Sequence, residues 1–211
     1  MARDASRHGV SRVMTAMDRQ SELDLVAEVR AGDAEAFDRI HVEFNQRLFS
    51  FLARLSRNRD LAEDLLEETW LRFVDASPKL RSDTNLGAFL FTIARNLYVS
   101  YCRSRLIEDS QTVDMIGLWP LGTPRPSPFE STVASETGRR IEAALADLPA
   151  AYREALLLTA VEGMRPAEAA LVCGITPEAM RQRLSRARAA IARRLDEDEH
   201  RVLLTLKQMT T

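Results

Sequence analysis

Hydrophobic residues recur at intervals of three and four along most of this chain, and the pattern breaks only where proline, glycine and small polar residues cluster. Leu23, Val26 and Val29 form a short stripe that ends at Gly32, and Ser21 followed by Asp24 resembles a helix N-cap. Asp33 can cap a second helix, in which Phe37, Ile40, Phe44, Leu48, Phe51, Leu52 and Leu55 keep helical spacing for nearly twenty positions. Residues 60–74, DLAEDLLEETWLRFV, place Leu61, Leu65, Trp70 and Phe73 on one face, with Leu66 and Val74 beside them. Ser77-Pro78 breaks that helix, and residues 79–85 read as a loop. A further long helix covers residues 86–105: Leu86, Phe89, Leu90, Ile93, Leu97 and Tyr101 are expected to face inward, while Thr92, Asn96, Ser100 and Arg103 form a polar stripe.

Between residues 107 and 135 the periodicity stops. Pro120, Pro124, Pro126 and Pro128, with Gly117 and Gly122, exclude regular structure and predict an extended linker. Helical spacing resumes near Glu136 with Ile141, Leu145 and Leu148, then Tyr152, Leu156 and Val161, ending at Gly163. Pro149 suits the first turn of the second of these helices. Pro166 opens a short helix through Val172, Cys173-Gly174 make a turn, and Thr176-Pro177 cap and start a last helix. A short helix, a glycine turn and a long Arg-studded helix spell helix-turn-helix. The fold expected is all-α: two small helical domains, residues 21–106 and 136–196, joined by the proline-rich linker 107–135. Residues 1–20, which show no durable period, predict a disordered tail, and residues 197–211 a second tail.

Charge separates these parts more sharply than the totals do. The 211-residue chain is 45% hydrophobic, enough for a core of normal size, and its formal net charge of -2 argues against a general polyanion binder. Residues 60–74 carry Asp60, Glu63, Asp64, Glu67 and Glu68 against the single basic Arg72, whereas residues 181–194 hold six arginines and no acid. Such segregation points to different partners at different places. A carboxylate face repels phosphates, so the acidic helix is suited to a basic protein surface.

In the last helix, Met180, Leu184, Ala187 and Ile191 are expected to turn inward. That leaves Arg181, Gln182, Ser185 and Arg186 projecting from the turns that enter a major groove, where Arg and Gln read base edges. Arg188, Arg193 and Arg194, further along, suit phosphates, and Thr176 caps the helix start. The stripe Asn96, Ser100 and Arg103, with Arg95 and Tyr98 nearby, suits separated strands through hydrogen bonds, charge and stacking. The loop beside it, including Lys79 and Arg81, is placed to wrap an unstacked base.

Other chemistries find little support. Cys102 and Cys173 stand far apart, and His8, His41 and His200 are scattered, so neither a disulfide framework nor a zinc site is expected. No nucleophile elbow, phosphate loop or metal pair is present, which argues against an enzyme and against any cofactor. No run approaches a membrane span and the N-terminus lacks the apolar core of a signal peptide, so the expected location is cytoplasmic.

Four stretches in register, DLAEDLLEETWLRFV, LGAFLFTIARNLYVSYCRSR, LPAAYREALLLTAVEGM and ITPEAMRQRLSRARAAI, resemble bacterial RNA polymerase sigma factors of the extracytoplasmic-function group. The resemblance spans residues 22–195 and includes a proline-rich linker where the family has one. It implies a region 2 domain followed by a region 4 domain, and core RNA polymerase and promoter DNA as partners. Asp60, Glu63, Asp64 and Glu67 match the acidic positions that dock on the clamp coiled coil of the β′ subunit. Residues 79–85, with Lys79 and Arg81, match the loop that captures a flipped base. Asn96 falls where the family carries a −10 reading asparagine, on the stripe with Ser100 and Arg103. The helix carrying Arg181, Gln182, Ser185, Arg186 and Arg188, started by Thr176, matches the −35 reader, and its domain is implied to pack on the β flap. Phe89 stands where the family usually has Trp, and Leu80 replaces a common loop Phe. Members usually have an anti-sigma partner. Residues 150–195 alone also fit a stand-alone helix-turn-helix regulator of duplex DNA, a reading that leaves the acidic helix and the Asn96 stripe without a role.

Overall fold

The computed structural model describes residues 19–108 and 136–209, and among the described residues every regular element is helical. The first 18 residues and residues 109–135, where the N-terminal tail and most of the linker were expected, lie outside the described residues.

The first unit contains α1 (Arg19–Arg30), α2 (Ala34–Ser56), α3 (Arg59–Ala76), a single 3-10 turn (Ser77–Lys79) and α4 (Leu86–Glu108). Local chemistry sets these boundaries. The Asp33 side chain accepts from the backbone N–H of Glu35 and Ala36, satisfying donors that the first turn of α2 leaves open. Arg57 then adopts the left-handed region, with φ 56°, and Asn58 caps α3 through Leu61 N–H. One side chain from far away completes α4: Glu22 of α1 accepts the Leu86 N–H at 2.8 Å, while Asn85 accepts that of Ala88.

Ile40, Leu48, Phe51, Leu52 and Leu55 of α2 are fully enclosed with Phe73 of α3 and Leu86, Leu90 and Phe91 of α4. Phe51 and Phe91 meet edge to face at 5.2 Å. Each such side chain contributes roughly 1.5–3 kcal/mol through burial, so the spacing read from the sequence locates most of the stabilising surface.

The second unit comprises α5 (Glu136–Asp147), α6 (Ala150–Leu156), a π-helical turn (Leu157–Val161), α7 (Pro166–Cys173) and α8 (Pro177–Met209). Gly174 sits at φ 63° and ends α7, a conformation that glycine adopts without a Cβ penalty. Thr176 Oγ1 accepts the Ala179 N–H at the start of α8. Met180, Leu184 and Ala187 are buried as their spacing predicts, and Ile191 is half-buried.

The two units pack against each other, chiefly α4 on α7 and the end of α2 on α6. That contact accounts for several departures from the periodicity. On α4, Phe91, Ala94 and Tyr98 are buried in place of Tyr101, which is 38% exposed, because the helix is covered on two sides. Val74, Ile141 and Val161, expected inside, lie largely on the surface. Ser21 is an interior residue of α1, which starts two residues earlier at Arg19, and the backbone of α8 stays helical past residue 196 to Met209.

Candidate functional site

Three surfaces collect the side chains that carry chemistry. The first is the outer face of α3. Asp60, Glu63, Asp64 and Glu67 are all exposed there, and Glu63 is held by Arg59 of the same helix at 2.9 Å. Next to this face the structure adds a feature absent from the sequence pattern: an open apolar groove of about 420 Å³ between α2 and α3, lined by Phe37, His41, Leu66, Trp70, Leu71 and Val74. Trp70 donates its indole N–H to Asn45 at 2.9 Å, and His41 lies 4.7 Å from its ring, so the groove floor is fixed. Leu71 and Val74 stand exposed along it, at 58% and 49%. An apolar groove rimmed by Glu63 and Glu67 can take a helix or coiled coil with an apolar seam and basic flanks.

The second surface joins the loop after α3 to the polar stripe of α4. Lys79 ends the 3-10 turn and Arg81 follows it, both exposed, and they line a cavity of about 530 Å³ with Arg72, Leu80, Thr84 and Phe89. Leu80, which replaces a common loop Phe of the resembled family, is buried at 5% and supplies apolar wall. The Arg81 guanidinium forms a forked pair with Asp83, at 3.0 and 3.2 Å. That hydrogen bonding raises the Arg81 pKa and lowers that of Asp83, so both stay charged.

Sequence reasoning missed two residues that hold this loop. Arg19 donates to the Asp83 carbonyl at 2.8 Å, and Glu22 caps α4, so α1 clamps the cavity's rim. No local spacing connects positions some sixty residues apart, and Arg19 lay in the stretch expected to be a tail. Asn96, Ser100 and Arg103 are exposed on α4, with Asn96 accepting from Arg95 at 3.3 Å. Tyr98, grouped with them for stacking, is instead buried at 7%, and burial pushes its phenol pKa up. It has no face to offer a base.

The third surface is the start of α8. Arg181, Gln182, Ser185, Arg186 and Arg188 are exposed on one side, with Thr176 at the N-cap. Arg181 pairs with Glu178 one turn back at 2.9 Å, an exposed contact that costs little to exchange for another acceptor. Arg183 departs from this set: it turns toward the body of the protein, where Glu154 lies 3.9 Å away. Among the described residues no group of His, Cys, Asp or Glu could hold a metal ion, and no helix is long and apolar enough to cross a membrane.

Comparison with known proteins points in one direction. A family model described as Sigma-70 region 2 matches residues 41–106, and one described as Sigma-70, region 4 matches residues 138–191. The chain is 32% identical to the ECF RNA polymerase sigma factor EcfG of Rhodopseudomonas palustris, across 69% of this chain and 77% of that one. It is 30% identical to the ECF RNA polymerase sigma factor SigC of Mycobacterium tuberculosis, across 88% and 97%. Among solved structures, the sigma factor RpoE of Bartonella quintana, crystallised with the anti-sigma factor NepR, is similar with a TM-score of 0.62 at 29% identity, covering 77% of this chain and 98% of that one. CnrH, at 23% identity and a TM-score of 0.60, shares the fold.

Proposed function

Since the chain belongs to the extracytoplasmic-function sigma factors of bacterial RNA polymerase, we propose that its three surfaces divide the work of promoter-directed initiation among them. The α3 face with Asp60, Glu63, Asp64 and Glu67, together with the apolar groove beside it, grips the β′ clamp coiled coil of core polymerase. The cavity behind Lys79 and Arg81, and the stripe Asn96, Ser100 and Arg103, hold the melted −10 element. Arg181, Gln182, Ser185, Arg186 and Arg188, on a helix started by Thr176, read the −35 element, and the region 4 domain packs on the β flap. As domains, residues 21–106 serve polymerase and the −10 element, residues 136–196 serve the −35 element, and residues 107–135 link them.

The observation that carries this assignment is the segregation of exposed charge, carboxylates on α3 and guanidinium groups on α8. It is what a subunit needs that binds a protein machine and a polyanion at once. The Bartonella quintana relative was solved with an anti-sigma factor, and a partner of that class fits this chain too. A protein working with polymerase resides in the cytoplasm.

The test is transcription with core polymerase on a genomic library, mapping the start sites. A shared upstream motif at −35 and −10 that appears only when the chain is added is the expected result. Random starts, or tight binding of the chain alone to duplex DNA, favour the stand-alone regulator instead.

A further inference from the structure

Glu154 of α6 is fully enclosed, yet it touches both DNA-facing helices. Its Oε1 accepts from Arg95 of α4 at 2.9 Å, and its Oε2, which accepts no hydrogen bond, faces Arg183 of α8 at 3.9 Å. Arg95 is the immediate neighbour of Asn96, and Arg183 lies between Gln182 and Leu184 on the reading helix. Around this point the units are joined by further ion pairs: Glu162 with Arg47 at 2.9 Å and Glu142 with Arg54 at 2.8 Å.

Geometry makes this arrangement incompatible with promoter binding. Elements at −35 and −10 are separated by about 25 base pairs, or roughly 85 Å at about 3.4 Å per base pair. The helices assigned to them here meet on one carboxylate. The stretch from Glu108 to Glu136, if drawn out at roughly 3.3 Å per residue, reaches roughly 90 Å, so the chain is long enough to let the units part.

We propose that Glu154 is an internal stand-in for DNA phosphate: it holds Arg95 across the unit boundary in the unbound chain, keeps the two DNA-reading surfaces together, and yields Arg95 to the promoter backbone when polymerase separates the units, while Arg183, in the same unit as Glu154, stays beside it. This adds Arg95 to the DNA-contacting residues. It rests on the sigma-factor reading in one respect, that the competing ligand is promoter DNA.

Neutralising the carboxylate while keeping its shape tests the inference. Full-length Glu154→Gln is compared with the parent by small-angle scattering, by binding of the free chain to a fluorescent duplex of the mapped promoter, and by run-off transcription at saturating core polymerase. Expected are a larger radius of gyration, about tenfold tighter duplex binding, a usual size for coupling between two sites, and unchanged transcription. Parent-like scattering, or expansion without tighter binding, overturns the proposal.

Should Glu154→Gln lose its helical circular dichroism, Arg47→Glu and Glu162→Arg take its place. Each alone should open the chain and tighten duplex binding, and the two combined should restore the parent's behaviour; singles that bind DNA like the parent overturn the latch. A parent chain that supports no transcription with core polymerase refutes the sigma-factor reading itself, a different failure.

Discussion

Arg153→Met is expected to destabilise the chain by about 3–5 kcal/mol. Arg153 is 6% exposed, and its guanidinium donates to the carbonyl oxygens of Leu145, Ala146 and Leu148 at the end of α5, at 3.1, 2.8 and 2.8 Å. It also reaches the end of α2, donating to Leu55 at 3.0 Å and Arg54 at 3.4 Å. These carbonyls lie at the ends of their helices, where intrahelical donors run out, so one cation caps two helices from different units. A hydrogen bond from a charged donor contributes roughly 1.5–3 kcal/mol, and five independent ones would sum to the whole stability of a domain.

Burial offsets part of that sum. It lowers the Arg153 pKa well below the ordinary guanidinium range, to about 10, with Arg57 adding to the effect, which at about 1.4 kcal/mol per pH unit is a penalty of roughly 3 kcal/mol. Removing one member of such a buried network costs about 3–5 kcal/mol, because the carbonyls left behind lose both protein and water. Urea unfolding followed by circular dichroism measures the loss. Arg153→Lys should recover little of it, since an ammonium cannot fork to two helix ends. A loss below about 1 kcal/mol with unchanged denaturant dependence would refute the reasoning.

Charge reversal at Asp64 and Glu67 should weaken core polymerase binding at least tenfold in a competition assay and shift stability by less than about 0.5 kcal/mol, because both residues are exposed; equal affinity of variant and parent counts against the docking face. Arg181→Ala should weaken −35 recognition by the holoenzyme by about 1–3 kcal/mol, the size of a bidentate base contact, and an unchanged promoter preference would contradict it. Glu22→Ala should cost about 1 kcal/mol of stability by uncapping α4 and should slow −10 opening, visible as delayed permanganate reactivity; parent-like opening would show that α1 does not position the loop.

The last prediction concerns pH. Burial raises the carboxyl pKa of Glu162 above its ordinary value, despite Arg47 and Arg54 around it. The folded chain keeps this proton longer than the unfolded one, so its contribution is greatest below the ordinary glutamate value and declines as pH rises through the folded value. Glu162→Gln should therefore gain stability relative to the parent as pH climbs, and a pH-independent difference would exclude that role.

Much of this molecule was legible without coordinates, for a definite reason. Helix existence and core composition follow from spacing, which is local, so Ile40, Leu48, Phe51 and Leu52 on α2 and Met180, Leu184 and Ala187 on α8 are buried as their periodicity requires. Caps are local too, and Asp33, Thr176 and Gly174 perform the roles their residue types suggest. Exposure of the acidic face and of Arg181, Arg186 and Arg188 followed from the same periodicity.

What needed the folded chain was every relation between distant positions. Periodicity gives a helix an apolar side but not the number of neighbours that cover it. Tyr98 was therefore read as available when it is buried on a helix that also packs against α7, and Val74 as enclosed when it borders an open groove. The clamp of Arg19 and Glu22 on the loop before α4, and the meeting of Arg95 and Arg183 on Glu154, join residues with no shared local pattern. A charge in a sequence shows what it can attract; only the packing decides what it reaches.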